Sequence, residues 1–216
     1  MANIIIMGGH GNGMVVASSI EQAAEHKVIG FLNDQEDIGS LISDKYPVLG
    51  RIDDAKDFDG DDVYFYFGIF SLARKWDNVE RIKKIGLPLE KYITIVDSSA
   101  VVSPFSQIGY GCYIGPCVVV GPNTKIGNFV QIFGHGFVGH DAIVDDYCFV
   151  ANNASIGGTV HIKQGVYIGT NCSIREFVTV GSWGVVGMGS VVIKDVEPKV
   201  TVVGNPARQI KNSADR

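Results

Sequence analysis

The 216-residue sequence has no cysteine pair at C-x-x-C spacing, no excess of positive charge and no long apolar run. Each absence removes a class of function. Without C-x-x-C there is no ready site for structural zinc or dithiol exchange, and Cys112, Cys117, Cys148 and Cys172 are expected to be buried or inert thiols. A net charge of −5 with the signs interspersed does not supply the concentrated Lys and Arg that hold nucleic acid or an anionic membrane. No apolar stretch approaches the roughly 20 residues of a membrane-spanning helix. Met1–Met7 lacks the basic start of a secretory leader and runs straight into glycines, so it reads as a first strand. The expectation is a soluble, cytoplasmic protein with no metal and neither nucleic acid nor membrane as partner.

What the sequence does have is a period. From Val96 to Val192 every sixth residue is Val or Ile, and four residues after each stands something small or β-branched, from Ala100 through Cys112, Thr124 and Gly136 to Val196. The residue just after the aliphatic one is most often Gly. A period of six fits neither a 3.6-residue helix nor a plain hairpin ladder; it fits a β-solenoid in which each wall is one short strand and a turn. In this reading the aliphatic residues stack inward, the small residues fill the corners, and the glycines take turn conformations that a Cβ would disfavour. At about 18 residues per coil, Val102 to Glu197 makes about five coils, and Pro198 breaks the register.

The residues before this stretch carry no such period, and the length accommodates two modest domains. A boundary near Tyr92 is predicted, giving residues 1–91 and 92–216. Asn3–Met7, Val28–Leu32 and Val63–Phe67 read as strands, and Tyr92–Val96 as a last strand leading into the solenoid. Helices are predicted after the turn Gly8–Gly13 (with Met14, Val15, Val16 and Ile20), over Asp53–Phe58, and over Ser71–Ile85 with Leu72, Val79, Ile82 and Ile85 near one face. Alternating strands and helices make an α/β domain with a small parallel sheet of Rossmann-like topology, ahead of the all-β solenoid. Ligands of such sheets sit beyond the C-terminal strand ends, here Gly8–Gly13, Asn33-Asp34 and Gly68. The glycines miss strict G-x-G-x-x-G spacing, because Met14 and Val16 stand where the last glycine would fall. The turn either offers a helix N-terminus to a phosphate or is a tight turn with no ligand. Asp34 either takes a ribose hydroxyl or caps a strand end. The final Ser213–Arg216 is expected to be frayed.

Of the five histidines, His26 and His161 read as ordinary surface or wall residues. His135 and His140 lie on consecutive turns of the solenoid, outside its packed positions. His140 is two residues past Val138, so it faces outward, and Asp141 follows at once. An imidazole with a pKa near roughly 6.5 can take the proton an amine loses as it attacks a thioester, and a neighbouring carboxylate raises that basicity.

The whole pattern resembles the hexapeptide-repeat sugar acetyltransferases, a family including the sialic-acid O-acetyltransferase-like proteins and the N-acetyltransferases of nucleotide-linked 4-amino-4,6-dideoxy sugars. The resemblance is carried by the glycine turn, by Phe31-Leu32-Asn33-Asp34, by Val138-Gly139-His140-Asp141 in the hexapeptide solenoid, and by the terminal Gly204-Asn205-Pro206-Ala207-Arg208. It implies a left-handed parallel β-helix with three hexapeptides per coil, a hand that the general rule for parallel crossovers would not favour. It implies a homotrimer with active sites between subunits, and acetyl-CoA as donor. It makes His140 the general base and Asp141 its partner. It places the nucleotide of the sugar at His10, Gly11, Asn12, Asn33, Asp34 and Gly68, and acetyl-CoA along Phe149, Gly158, Thr170 and Met188. Three positions depart from the family pattern: Asn12 and Phe149 stand where His is common, and Phe133 where Asn is. The activity this predicts is N-acetylation of the 4-amino group of a nucleotide-linked amino-dideoxy sugar by direct attack, without an acyl-enzyme. O-acetylation of a sugar hydroxyl with the same base, and a non-catalytic solenoid scaffold, are the alternatives.

Overall fold

The computed structural model describes residues 1–70, 72 and 75–212 and divides into two compact units between Ser98 and Ser99. The division falls after the expected Tyr92 because Tyr92 bridges Phe65 and the Ile93 N–H donates to the Phe65 carbonyl at 2.9 Å, tying this stretch to the first sheet. The strand expected over Tyr92–Val96 is correspondingly reduced to Ile95–Val96.

The first unit runs β1 (Asn3–Met7), α1 (Asn12–Ala23), β2 (Lys27–Leu32), β3 (Leu41–Ile42), β4 (Tyr46–Gly50), β5 (Val63–Phe67) and α2 (Lys75–Ile85). Its sheet has the order β3-β4-β2-β1-β5. Strand β1 lies between β2 and β5 because it is apolar on both faces: Ile4, Ile5, Ile6 and Met7 are all buried. Helix α1 lays Gly13, Val16, Ala17 and Ile20 inward at helical spacing and ends at Ala24, which takes the left-handed conformation at φ 55. The sheet is mixed, not wholly parallel as expected, since β3 pairs antiparallel with β4. This hairpin escaped the pattern reading because β3 is two residues long with Leu41 exposed, and β4 contains Pro47 and ends in Gly50. The helix expected over Asp53–Phe58 is a 3-10 helix over Ile52–Phe58, opened by the Arg51 N–H donating to Asp54 Oδ2 at 2.8 Å. Of the helix expected over Ser71–Ile85, Ser71, Ala73 and Arg74 lie outside the described residues, and so does Ser213–Arg216. Val79, Ile82 and Ile85 are buried as expected, whereas Leu72 is exposed. No helix of the described residues is long and apolar enough to cross a membrane.

The second unit is a parallel β-helix of two-residue strands. Its three walls pair at a constant offset, Val101 with Val119 with Phe137, Gln107 with Lys125 with Ile143, and Tyr113 with Gln131 with Phe149, so one coil is 18 residues. The second residue of each strand points in: Val138, Ile156, Ile162, Ile168 and Val186 are completely buried. Each such Val or Ile contributes on the order of 1.5–3 kcal/mol by leaving water. The small position closes the corners, and Cys112, Cys148 and Cys172 are buried there as expected. Burial pushes the Cys148 thiol up to about 12, so it stays protonated and unreactive. Cys117 is exposed in a turn.

The glycines serve a different purpose from the one expected. The left-handed turn position is the third residue after the aliphatic one, and it is mostly not glycine: Asn123, His135, Asp141, Asn153 and Asn171 all have φ between 58 and 60 or close to it. The glycine directly after the aliphatic residue is there because the next coil comes too close for a side chain. A Cβ on Gly139 would stand 2.6 Å from the Gly158 nitrogen, and one on Gly121 2.7 Å from the His140 nitrogen.

The register also slips earlier than Pro198. Ile174 pairs with Val192 at the regular offset, but Val180 already bridges Val196, so the shortening falls between Val192 and Val196. Val196 thereby occupies a wall position, not the corner its spacing suggested. The chain closes with Val200–Val203 paired antiparallel to Arg208–Asn212.

Candidate active site

His140 and Asp141 sit on the corner that follows the strand Phe137–Val138. Their backbones are held on both sides: the Asp141 N–H donates to the Pro122 carbonyl of the preceding coil, and the Thr159 N–H of the following coil donates to the His140 carbonyl, each at 2.9 Å. The side chains meet at 2.7 Å between His140 Nδ1 and Asp141 Oδ2, with 64% of the imidazole and 49% of the carboxylate exposed. A carboxylate acceptor at Nδ1 puts the proton there and leaves Nε2 as the nitrogen that carries the free lone pair. The bond to His140, then one from the Asn123 amide, holds the Asp141 carboxyl below its usual value. Asp141 is therefore an anion at neutral pH.

The far end of the imidazole packs against the next coil. A Cβ on Gly158 would stand 2.7 Å from His140 Nε2 and 2.9 Å from Cε1, so the ring occupies the space that the missing side chain leaves. Gly158 was singled out as an acetyl-CoA contact, and it adjoins the proposed base. Thr170 and Met188 stand apart from them. Both follow the third wall, at corresponding places after Tyr167–Ile168 and Val185–Val186, and Met188 is exposed. His140 and Gly158 follow the first wall, so within one chain the two sets occupy different corners. Phe149 lies on the third wall itself. Its ring is buried in a ladder, 4.9 Å from Phe133 and 5.5 Å from Tyr167, with Tyr113 5.4 Å from Phe133 at the other end. The two aromatic departures from the family pattern are thus packed on each other.

His161 pairs with Asp145 at 3.0 Å and is half-buried on the second wall, which suits the wall histidine expected. His135 occupies a left-handed turn on another corner.

In the first unit the structure brings the predicted positions together. Met7 pairs with Leu32 and with Phe67, so the glycine turn, Asn33-Asp34 and Gly68 follow three adjacent strand ends. Gly11, at φ 82, starts α1 without any side-chain cap. The side chains of Asn33 and Asp34 are already engaged. Asn33 donates to the Gly8 carbonyl at 2.9 Å and accepts from the Gln35 and Glu36 N–H groups, staying buried. Asp34 accepts from the Ile52 N–H at 3.1 Å and pairs with Arg81 at 2.6 Å. Arg81, which sequence reasoning missed, is held between Asp34 and Asp53. Gly68 packs where a Cβ would touch the Gly13 Cα at 3.3 Å. His10 is exposed, 4.0 Å from Glu36. Among the described residues no cluster of His, Cys, Asp and Glu is arranged to hold a metal.

Comparison with known proteins agrees with this picture. Residues 3–82 match the PglD N-terminal domain. No curated protein sequence matches the chain. Among solved structures, WeeI from Acinetobacter baumannii AYE is 29% identical over 97% of this chain and all of that one, with a TM-score of 0.80. The acetyltransferase domain of PglB from Neisseria gonorrhoeae FA1090, in complex with acetyl coenzyme A, is 24% identical over 96% of this chain and 98% of its own, with a TM-score of 0.85. A His-to-Asn variant of perosamine N-acetyltransferase from Caulobacter crescentus, in complex with CoA and GDP-perosamine, is 21% identical over 98% of both chains, with a TM-score of 0.87. Superposition at this level is of one hand only, so the β-helix is left-handed. The likeness read from the sequence, a hexapeptide-repeat protein of the nucleotide-sugar acetyltransferase type, is borne out in fold and in its N-terminal domain.

Proposed function

We propose that this protein is an acetyl-CoA-dependent N-acetyltransferase acting on the 4-amino group of a nucleotide-linked amino-dideoxy sugar, with His140 as general base and Asp141 as its partner. The observation that carries the reading is the 2.7 Å hydrogen bond that Asp141 Oδ2 accepts from His140 Nδ1, which leaves Nε2 as the basic nitrogen on a rigid corner. As the sugar amine bonds to the thioester carbonyl carbon, Nε2 accepts the proton that the nitrogen gives up. When the carbon–sulfur bond breaks, the same imidazolium can return that proton to the departing thiolate, so the base is regenerated. Asp141 stays ionised and steadies the imidazolium that forms between these events. No acyl-enzyme is invoked, since Cys112, Cys148 and Cys172 are buried at the corners and the exposed Cys117 has the Ser99 hydroxyl, not a base, 3.9 Å from its thiol.

The first unit would hold the nucleotide: His10, Gly11, Asn12 and Gly68 surround the uncapped start of α1, whose free N–H groups suit a phosphate. Asn33 and Asp34 would act through the shape of this turn, because their polar atoms are already bonded. Acetyl-CoA would contact Gly158 beside the base, Thr170 and Met188 from the other corner, and Phe149 from the third wall. A homotrimer reconciles those two corners, since a neighbouring subunit can bring the second set to the first subunit's His140. An apolar column supports that assembly: Val101, Val119 and Phe137 lie in register on the first wall and are 63%, 38% and 43% exposed. A cytoplasmic location fits a donor and an acceptor of this kind.

The test is release of free thiol from acetyl-CoA against a panel of nucleotide-linked amino sugars and free sialic acid. Turnover confined to amino sugars, and lost in His140→Ala, is the expected result. Turnover with sialic acid instead would replace the acceptor, and an active His140→Ala would remove the base.

A further inference from the structure

An exposed His–Asp pair on a protein surface is ordinarily loose, since such pairs gain little and must hold two side chains still. The His140–Asp141 pair is held from the coils on either side. One coil back in the same column, Asn123 donates its amide Nδ2 to Asp141 Oδ1 at 3.1 Å, while the other carboxylate oxygen, Oδ2, meets His140 Nδ1 at 2.7 Å. The amide therefore fixes which oxygen is left for the imidazole. One coil forward, Gly158 leaves the hollow against which the ring rests, with Nε2 2.7 Å from where a Cβ would stand. The remaining neighbours of the corner, Pro122 on one side and Gly157 and Thr159 on the other, do not titrate, and Arg175 and Glu176 are the next charged residues in that direction, beyond Gly157.

We propose that Asn123 and Gly158 are positioning residues that clamp the His140–Asp141 pair, Asn123 by orienting the carboxylate and Gly158 by seating the imidazole. The inference rests on the assignment of His140 as base. Asn123 acts only through Asp141, so its removal has no further effect once Asp141 is gone. Gly158 acts on the ring directly, so its replacement displaces Nε2 even with Asp141 in place.

The experiment follows the His140 ring nitrogens of the full-length protein by ¹⁵N NMR across pH, without substrate, the signal being assigned by its loss in His140→Asn. Asn123→Gly is the cleaner deletion, because Asn123 sits at φ 58 and glycine keeps that backbone unstrained. Its ring nitrogens are expected to shift away from the Nδ1–H tautomer, in the direction of Asp141→Asn, and the double variant is expected to match Asp141→Asn alone. Gly158→Ala is expected to lose the preference for the Nδ1–H tautomer and to lower kcat by about 100-fold, as misplacement of a reacting group by about 1 Å does, with CoA binding measured separately by calorimetry. Additive shifts in the double variant, or an unshifted ring in Asn123→Gly, would overturn the role of Asn123. An unchanged tautomer in a folded Gly158→Ala would overturn that of Gly158. Because the titration needs no turnover, a failed base assignment would show separately, as activity surviving His140→Ala while the ring still responds to the clamp.

Discussion

Replacing Gly121 with alanine tests how closely the coils approach beneath the candidate base. The new Cβ would stand 2.7 Å from the His140 nitrogen, 3.0 Å from the Gly139 carbonyl carbon and 3.2 Å from the His140 Cα, whereas ordinary contact begins at 3.4 Å. All three are backbone atoms, so no flexible side chain can yield, and the coils must part by roughly 0.7 Å at that corner. Overpacking of this kind costs about 1–3 kcal/mol. At about 2–4 °C per kcal/mol for a chain of this size, Tm should fall by between about 2 and 12 °C. The displaced backbone is that of His140 itself, so kcat in the thiol-release assay should fall by about 10-fold or more, given that a shift of about 1 Å costs about 100-fold. Gly189→Asn supplies the control: Gly189 has φ 68 and nothing within 4 Å of its missing Cβ, and asparagine already holds the equivalent backbone at Asn123, Asn153 and Asn171. That variant should cost less than about 1 kcal/mol. If Gly121→Ala melted and turned over like the wild type, or no worse than Gly189→Asn, the close approach of the coils would not be what requires the glycine.

Four further outcomes follow from the same geometry. His140→Ala should lower kcat by about 10²–10⁴-fold while CoA still binds by calorimetry, and binding lost together with turnover would assign the residue to the ligand instead. Asp141→Asn should lower kcat by less than His140→Ala does, because the imidazole loses the acceptor that fixes its tautomer; an unchanged kcat would separate the two residues. The sign for Asp141 itself is opposite to a histidine's: its carboxyl is held low by His140 and then Asn123, so the pair's stabilising effect is present above the usual carboxylate pKa and is lost as pH falls through the lowered one, which a carboxyl NMR titration would follow. Ile156→Ala, at a fully buried wall position, should cost about 2–5 kcal/mol in thermal or denaturant unfolding, against which a loss under about 1 kcal/mol would mean the wall collapses around the gap.

The solenoid was readable because a strict period of six admits one kind of solution, and the buried identity of Val138, Ile156 or Cys148 follows from the count alone. What the count could not carry was the third dimension. Asn123 is 17 residues from His140 and becomes its neighbour's partner only once the coil length is a measured 18. The glycines were correctly located but assigned the wrong cause, because strain at a turn and crowding by a neighbour produce the same residue. In the first unit the long apolar strands β1, β2 and β5 were legible, whereas the β3–β4 hairpin is held by positive φ at Ser43 and Asp44, where neither residue announces a turn in the way Asn-Gly would. His140 and Asp141 stood out because the repeat's packing positions do not account for them. The engagement of Asp34 by Arg81 was invisible, since it joins residues from distant elements.

The constant 18-residue offset makes the corner bearing His140 a unit that can be transplanted as a block. Its working parts span only Asn123 to Gly158, on three successive turns of one column. Adding or removing a complete turn beyond either end would lengthen or shorten the cylinder while leaving every distance within that span unchanged. A change of two residues is absorbed at a corner, as between Val192 and Val196, where Val186 still pairs with Val202 on its own wall. The chemistry at the corner is thereby insulated from growth of the scaffold that carries it.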